Sequence, residues 1–134
     1  MLWFATTAWA LTSSADPAAL CALADAVVVA EVTSTETEWA PGPRGDLRTR
    51  SWGAVSAVLM GTPPSTVEIL SLGGTLQGLV QHVEHEPTLR VDHRYVLLLS
   101  RDGDAWRVTG GEAGLVPLAH GAPAPKLSEV CHAR

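Results

Sequence analysis

Short runs of apolar and β-branched residues, separated by turn-forming residues, recur along this chain. Residues 95–100 (Tyr-Val-Leu-Leu-Leu-Ser) lead into Arg101-Asp-Gly-Asp104, and a second run follows over residues 105–109. This pattern predicts a β-hairpin closed at an Asp-Gly turn. Residues 26–39 begin as a continuous apolar run and then alternate, which predicts a strand that is covered on both faces at its start and reaches solvent later.

Three further strands are predicted, over residues 47–59, 66–72 and 79–85. The first of these should contain a bulge or bend at Gly53. Its alternation places two sets of side chains on opposite sides: Leu47, Thr49, Val55, Ala57 and Leu59 on one, and Arg48, Arg50, Trp52, Ser56 and Val58 on the other. Ahead of the strands, Asp16 as N-cap and Pro17 at the first position predict a short helix up to residue 24.

Five or six strands with a closing hairpin indicate an all-β fold. We expect a small closed or partly closed, OB-like barrel with a short N-terminal helix, because closure removes the exposed strand edges of an open sheet. A β-sandwich is the alternative. The 134 residues suffice for one core, and we divide them into a signal peptide (1–15), a barrel domain (16–119) and an irregular C-terminal tail (120–134).

The first fifteen residues carry no charged side chain and end in Ser13-Ser14-Ala15. This pattern is typical of a signal peptide, here cleaved before Asp16, and it predicts a secreted or periplasmic protein. The apolar run is shorter than the roughly twenty residues that a transmembrane helix needs, so no integral membrane span is expected. In an oxidising compartment Cys21 and Cys131 could form a disulfide; two unrelated thiols are the alternative.

Charge and motifs argue against several functions. Nine basic residues against fourteen acidic ones give a net charge of −5, which provides no broad positive field for nucleic acid. The sequence has no nucleophile elbow, no phosphate-binding loop and no His-Glu-x-x-His motif, so we predict no catalytic residue and no cofactor.

One dense cluster of metal-capable side chains is present, with His82, Glu84 and His85 followed by His93. In a strand, His82 and His85 point to opposite faces, which disfavours a shared metal ion. We therefore predict no metal site, and metal binding by His82 and His85 is the alternative hypothesis.

Tryptophan is unusually frequent, with five residues against one Phe and one Tyr. Trp39 and Trp52 lie near a strand end or on a strand face with charged neighbours. They are candidate contacts for a partner protein, because buried aromatic anchors dominate protein interfaces. Burial over the barrel core is the alternative.

The strand at residues 24–32 (Ala-Asp-Ala-Val-Val-Val-Ala-Glu-Val), the segments 55–61 and 95–104, and the Gly73-Gly74 turn resemble a group of small uncharacterised exported proteins of myxobacteria and related Gram-negative bacteria. The resemblance implies an exported bacterial β-domain, although Ala30 stands where Gly is usual. More loosely, the chain resembles the OB-like barrels of netrin-type modules and tissue inhibitors of metalloproteases. Those inhibitors chelate the protease zinc through an N-terminal Cys, a mechanism that Asp16 as first mature residue does not support.

These observations predict an exported, non-catalytic binding module of unknown ligand, whose partner is another exported protein such as a protease. The first alternative is a metal-binding protein or metal-dependent enzyme that uses His82 and His85. The second alternative is a structural component of the cell envelope.

Overall fold

The computed structural model describes residues 16–132, and the proposed signal peptide at 1–15 lies outside them. The described chain is mostly β. Its elements in chain order are α1 (Pro17–Leu23), β1 (Ala26–Trp39), β2 (Leu47–Met60), β3 (Thr66–Leu72), β4 (Gly74–Leu76), β5 (Leu79–Gln81), β6 (Arg94–Asp102), β7 (Ala105–Val108), a 3-10 turn (Gly111–Gly114), β8 (Leu115–Leu118) and α2 (Leu127–Val130).

The main sheet closes on itself. Its strand order is β1-β2-β3-β7-β6, and β6 pairs back with β1, so five strands form a ring of hydrogen bonds to which β8 adds along β6. All pairings are antiparallel except β3 with β7, which meet in parallel at Ile69 and Trp106. The prediction of an all-β, partly closed barrel with a short N-terminal helix is confirmed.

Both faces of β1 are buried at its start, as predicted. Val28, Ala30 and Val32 face the barrel interior, whereas Val27 and Val29 face a second apolar cluster on the outside. Successive side chains of a strand point to opposite faces, so a strand between two cores is apolar at every position. This explains the uninterrupted apolar run in the sequence.

A disulfide joins Cys21 in α1 to Cys131, as the sequence suggested, with 5.8 Å between the two Cα atoms. Leu127 and Val130 of α2 and Leu20 of α1 belong to the outer cluster. The tail at 120–134 was expected to be irregular but contains the short helix α2. The two apolar side chains of this helix help to cover β1 and β6, which favours its formation.

The β6–β7 hairpin forms where predicted, but the two residues of its loop are not the predicted Asp-Gly pair. Asp102 pairs with Ala105, so Gly103 and Asp104 are the two loop residues. Gly103 has a φ of 63°, and Asp104 is not among the residues of positive φ. A positive φ at the first loop position alone is the pattern of a type II′ turn, which favours Gly there.

The predicted sidedness of β2 is wrong beyond Val55. Val55 packs against the barrel interior, whereas Ala57 packs against the outer cluster. A register shift between Val29 and Ala30 of β1 leaves an extra residue in β2, and such a bulge reverses the face that later side chains occupy. A second shift, between Val32 and Ser34, lies opposite Gly53, where an irregularity was expected.

The strand predicted over 79–85 is shorter than expected. It ends at Gln81 and pairs with β4, which the sequence did not predict. His85 has a φ of 66°, outside the strand region, and it lies in a turn. Strand β8 was likewise not predicted. None of the helices within residues 16–132 has the length and apolar character needed to cross a membrane.

Candidate functional site

Beyond the reach of β6, residues 33–39 of β1 pair only with residues 47–52 of β2, which pair on their other side with β3. We call residues 33–39 and 47–52 the ribbon. Strand β6 pairs with β1 only as far as Glu31, whereas β2 accompanies β1 to Trp39. Within residues 16–132, no second strand pairs with the other edge of residues 33–39. The ribbon therefore has one free edge.

A network of ion pairs covers the outer face of the ribbon. Glu38 accepts from Arg48 at 2.5 Å and from Arg50 at 3.1 Å, and Arg50 also donates to Glu68 at 2.5 Å. Hydrogen bonds from Arg50 and Arg48 lower the pKa of Glu38, and the bond to Glu38 raises the pKa of Arg50. These partly exposed links tie β1, β2 and β3 together on this face.

On the inner face of the ribbon, two threonines hold the start of the β4–β5 hairpin through hydrogen bonds. Thr49 donates its hydroxyl proton to the carbonyl of Gly73 at 2.9 Å, and its oxygen lies 3.0 Å from the Thr37 hydroxyl. Because a hydroxyl has one proton, Thr37 is the donor to Thr49. Gly74 (φ 134°) lies against both threonines, and a Cβ there would overlap them.

Two further side chains hold the hairpin and the loop after it. Gln81 accepts from the Leu47 N–H at 2.6 Å and donates to Asp46 at 3.1 Å. Glu86 accepts from the Leu72 N–H at 2.6 Å. Backbone groups at the ends of β2 and β3 are thus bonded by side chains from the covering segment.

Between the barrel end and this covering segment lies a pocket of about 230 Å³. It is small for a ligand site, since such pockets usually have roughly 300–1,000 Å³. Four hydroxyl-bearing residues, one carboxylate and several apolar side chains form its walls. The lining residues are Thr49, Ser71, Leu72, Gly73, Gly74, Thr75, Val80, Gln81, His82, Val83, Glu86, Pro87, Thr88 and Leu89.

The loop that roofs the pocket is fixed at several points. The carbonyl of His85 accepts from the Glu112 N–H at 2.8 Å, and the Tyr95 hydroxyl accepts from the Arg90 N–H at 3.0 Å. Pro87 and Leu89 are buried. These contacts fix the loop against the rest of the barrel and so define the shape of the pocket.

The structure separates the two tryptophans suggested as partner contacts. Trp39 pairs with Leu47 on the inner face of the ribbon and is 53% exposed. Trp52 pairs with Ser34 on the outer face and is half-buried. Because they lie on opposite faces of the ribbon, the two tryptophans cannot contact a partner as one shared anchor. Trp106 is buried in the barrel core, with the Arg101 guanidinium 4.6 Å from its ring centre.

The histidines of the proposed metal cluster lie outside the strands. His82 lines the pocket, while His85 is exposed, with its Nδ1 3.7 Å from a carboxylate oxygen of Glu112. Among the residues described, 16–132, no three His, Cys, Asp or Glu side chains are grouped so that they could hold a metal ion.

Sequence reasoning missed the roles of Thr49, Gln81 and Glu86, which line the pocket, and of Thr37, which bonds to Thr49. Their contacts join segments that are far apart along the chain, for example Gln81 with Asp46. The available signal was Gly73-Gly74, because consecutive glycines mark a close backbone approach as well as the end of a strand. Comparison with known proteins finds no family model that matches this chain and no curated protein that matches it significantly.

Proposed function

We propose that the protein is an exported, non-catalytic binding module with an OB-like barrel, and that its partner is another exported protein, such as a protease. The Cys21–Cys131 disulfide supports export, because disulfides persist mainly in oxidising compartments. The ring order β1-β2-β3-β7-β6 with one parallel contact supports the OB-like assignment, since that fold is a five-stranded Greek-key barrel.

The free edge of residues 33–39 is the observation that carries the binding proposal. An unpaired edge presents backbone N–H and C=O groups that can accept an added strand from a partner. Trp39, at the end of this edge, is more than half exposed, and an aromatic side chain of this kind is a favoured anchor in protein interfaces. We propose that a strand of the partner lies along this edge and that Trp39 contacts the end of that strand.

The charges beside this edge define the partner further. Glu36 pairs in register with Arg50, but the Arg50 guanidinium binds Glu38 and Glu68 instead. An added strand with a basic residue on the outer face would place a cation beside Glu36, and opposite charges on neighbouring strands are stabilising. We therefore expect the bound segment to be extended and to carry Lys or Arg at that position.

Export is tested by the intact mass of the protein recovered from its native host, measured before and after reduction and alkylation. The proposal expects a mature chain that begins at Asp16 and has both cysteines protected until reduction. An unprocessed chain with free thiols would overturn it.

The partner is tested by photo-crosslinking in the native host, with p-benzoylphenylalanine replacing Thr35 on the free edge. The control replaces Asp104, an exposed residue in the β6–β7 turn. Strand register places that turn near the start of β1, at the opposite barrel end from the ribbon. We expect one discrete exported protein in the position-35 adduct, reduced by Trp39→Ala and absent at position 104. Equal adducts at both positions, or no adduct at position 35, would refute the edge as the binding surface.

A further inference from the structure

The lining of the pocket at the barrel end contains a negatively charged residue but no Lys or Arg. Glu86 is its single carboxylate, and His82 is the one other titratable side chain in the lining. A bound anion would therefore face the Glu86 carboxylate without a Lys or Arg beside it, which is unfavourable in a partly buried site. A bound cation would gain a charge-assisted hydrogen bond.

The position of Glu86 is set by the protein. One carboxylate oxygen, Oε1, accepts from the Leu72 N–H at 2.6 Å. Among the hydrogen bonds of the described chain, none involves Oε2. A carboxylate has acceptor sites on both oxygens, so Glu86 can hold the end of β3 and bind a donor in the pocket at the same time.

The rest of the lining suits the remainder of a small organic cation. Hydroxyls of Thr49, Ser71 and Thr88 can accept further ammonium protons. Leu72, Val80, Val83 and Leu89 supply apolar surface for carbon atoms. The Gln81 amide is already bonded to Leu47 and Asp46, so it shapes the wall.

We infer that this pocket binds an alkylammonium group, with Glu86 as the residue that holds the charge. The ammonium accepts no hydrogen bond and donates three, which matches a site of one carboxylate and several hydroxyls. The volume of about 230 Å³ limits the bound part to a few carbon atoms beside the nitrogen. Such a group is offered both by a free small amine and by the lysine side chain of a protein.

The test is an NMR titration of the ¹⁵N-labelled mature protein with n-butylammonium chloride at constant ionic strength. We expect saturable shifts of the Gly73, Gly74 and Gln81 amide signals, with a Kd on the order of 1–10 mM, as suits a ligand of so few atoms. Two probes of similar shape, neutral n-butanol and anionic butyrate, should give no saturable shift. Saturable binding of either probe as tight as that of butylammonium would overturn the inference.

Glu86→Gln is the decisive variant, because the Gln carbonyl can still accept from the Leu72 N–H while the negative charge is lost. It should weaken butylammonium binding about tenfold or more, the factor that corresponds to a charged hydrogen bond. Glu84→Gln is the matched control, since this exposed carboxylate belongs to the same loop but does not line the pocket. An equal effect of both substitutions, or none for Glu86→Gln, would refute the site.

The two sources of the ammonium group are distinguished by the crosslinking experiment at position 35. Loss of the adduct in Glu86→Gln assigns the group to a lysine of the protein partner. An unchanged adduct together with weakened butylammonium binding assigns it to a free amine. The titration does not depend on the partner, so the pocket and the binding edge can fail separately.

Discussion

The hydroxyl oxygens of Thr37 and Thr49 lie 3.0 Å apart, beneath the backbone of Gly74. Thr49 also donates to the Gly73 carbonyl. The inner face of the ribbon is thus joined to the start of the β4–β5 hairpin by a chain of two hydrogen bonds. Because the hairpin forms part of the pocket wall, this contact connects the shape of the pocket to the packing of β1 against β2.

Replacing Gly74 with Ala should displace the hairpin. A Cβ at this position would overlap Thr49 and Thr37, and the φ of 134° is one that an L side chain rarely adopts. We expect a loss of about 2–4 kcal/mol in the free energy of unfolding, from backbone strain and overpacking together. Urea denaturation followed by circular dichroism measures it.

Gly78→Ala is the control for backbone strain alone. Gly78 also has a positive φ, of 83°, but a Cβ there meets no atom within 4 Å. It should cost about 1–2 kcal/mol, the left-handed penalty of an L residue. If the two variants were equally destabilised, close packing of Gly74 on the threonines would not contribute to stability.

The strands were more predictable than the site because strand signals are local. The apolar run of β1 and the turn at Gly103 each depend on neighbouring residues, and both indicated the structure. No local pattern in the sequence predicted the bulge in β2. The extra residue comes from the register shift at Val29 and Ala30, and that shift depends on how β2 pairs with β1. A single extra residue was sufficient to place Val55 and Ala57 on opposite faces of the strand, where the sequence predicted one face for both.

The pocket could not be predicted for a related reason. The side chains of Glu86 and Gln81 accept hydrogen bonds from the backbone N–H groups of Leu72 and Leu47, which belong to other strands. No periodic pattern in the sequence predicts such contacts. The histidines, in contrast, were conspicuous in the sequence but lie outside the strands of the barrel. Chemical prominence along a chain indicates a site only where the fold brings the groups together.

Removal of the Cys21–Cys131 disulfide should strongly destabilise the protein. The bond closes a segment with a sequence separation of 110, for which the chain-entropy model gives about 4–5 kcal/mol. We expect the Cys21→Ser, Cys131→Ser double variant to melt about 10–20 °C lower by differential scanning calorimetry. A reductant should lower the Tm of the wild type and leave that of the variant unchanged. Equal melting temperatures would mean that packing of α2 on the outer cluster suffices without the bond.

Ser51→Ala should leave stability unchanged or increase it. The Ser51 hydroxyl is buried and has no hydrogen-bond partner among the described residues, so its removal relieves an unsatisfied group, worth about 0–1 kcal/mol. The control is Ser100→Ala, which breaks the 2.5 Å contact between Ser100 and the buried Thr109 hydroxyl and should cost about 1 kcal/mol. Destabilisation of Ser51→Ala beyond that of Ser100→Ala, measured by urea denaturation, would contradict the prediction.

The ion pairs of Glu38 should make stability depend on acid pH. Hydrogen bonds from Arg50 and Arg48 lower the pKa of Glu38 in the folded protein below its ordinary value of 4.5. The unfolded chain therefore takes up the proton first, and the stabilisation is present above that value and lost as pH falls through the folded pKa. In Glu38→Gln this titration is removed, so the Tm advantage of the wild type over the variant should shrink as pH is lowered from about 6 towards 3. Glu36→Gln, on the same face but without a bond to Arg50, should keep the wild-type pH profile. A Tm difference for Glu38→Gln that stays constant across this range would show that the arginines do not stabilise its charged form.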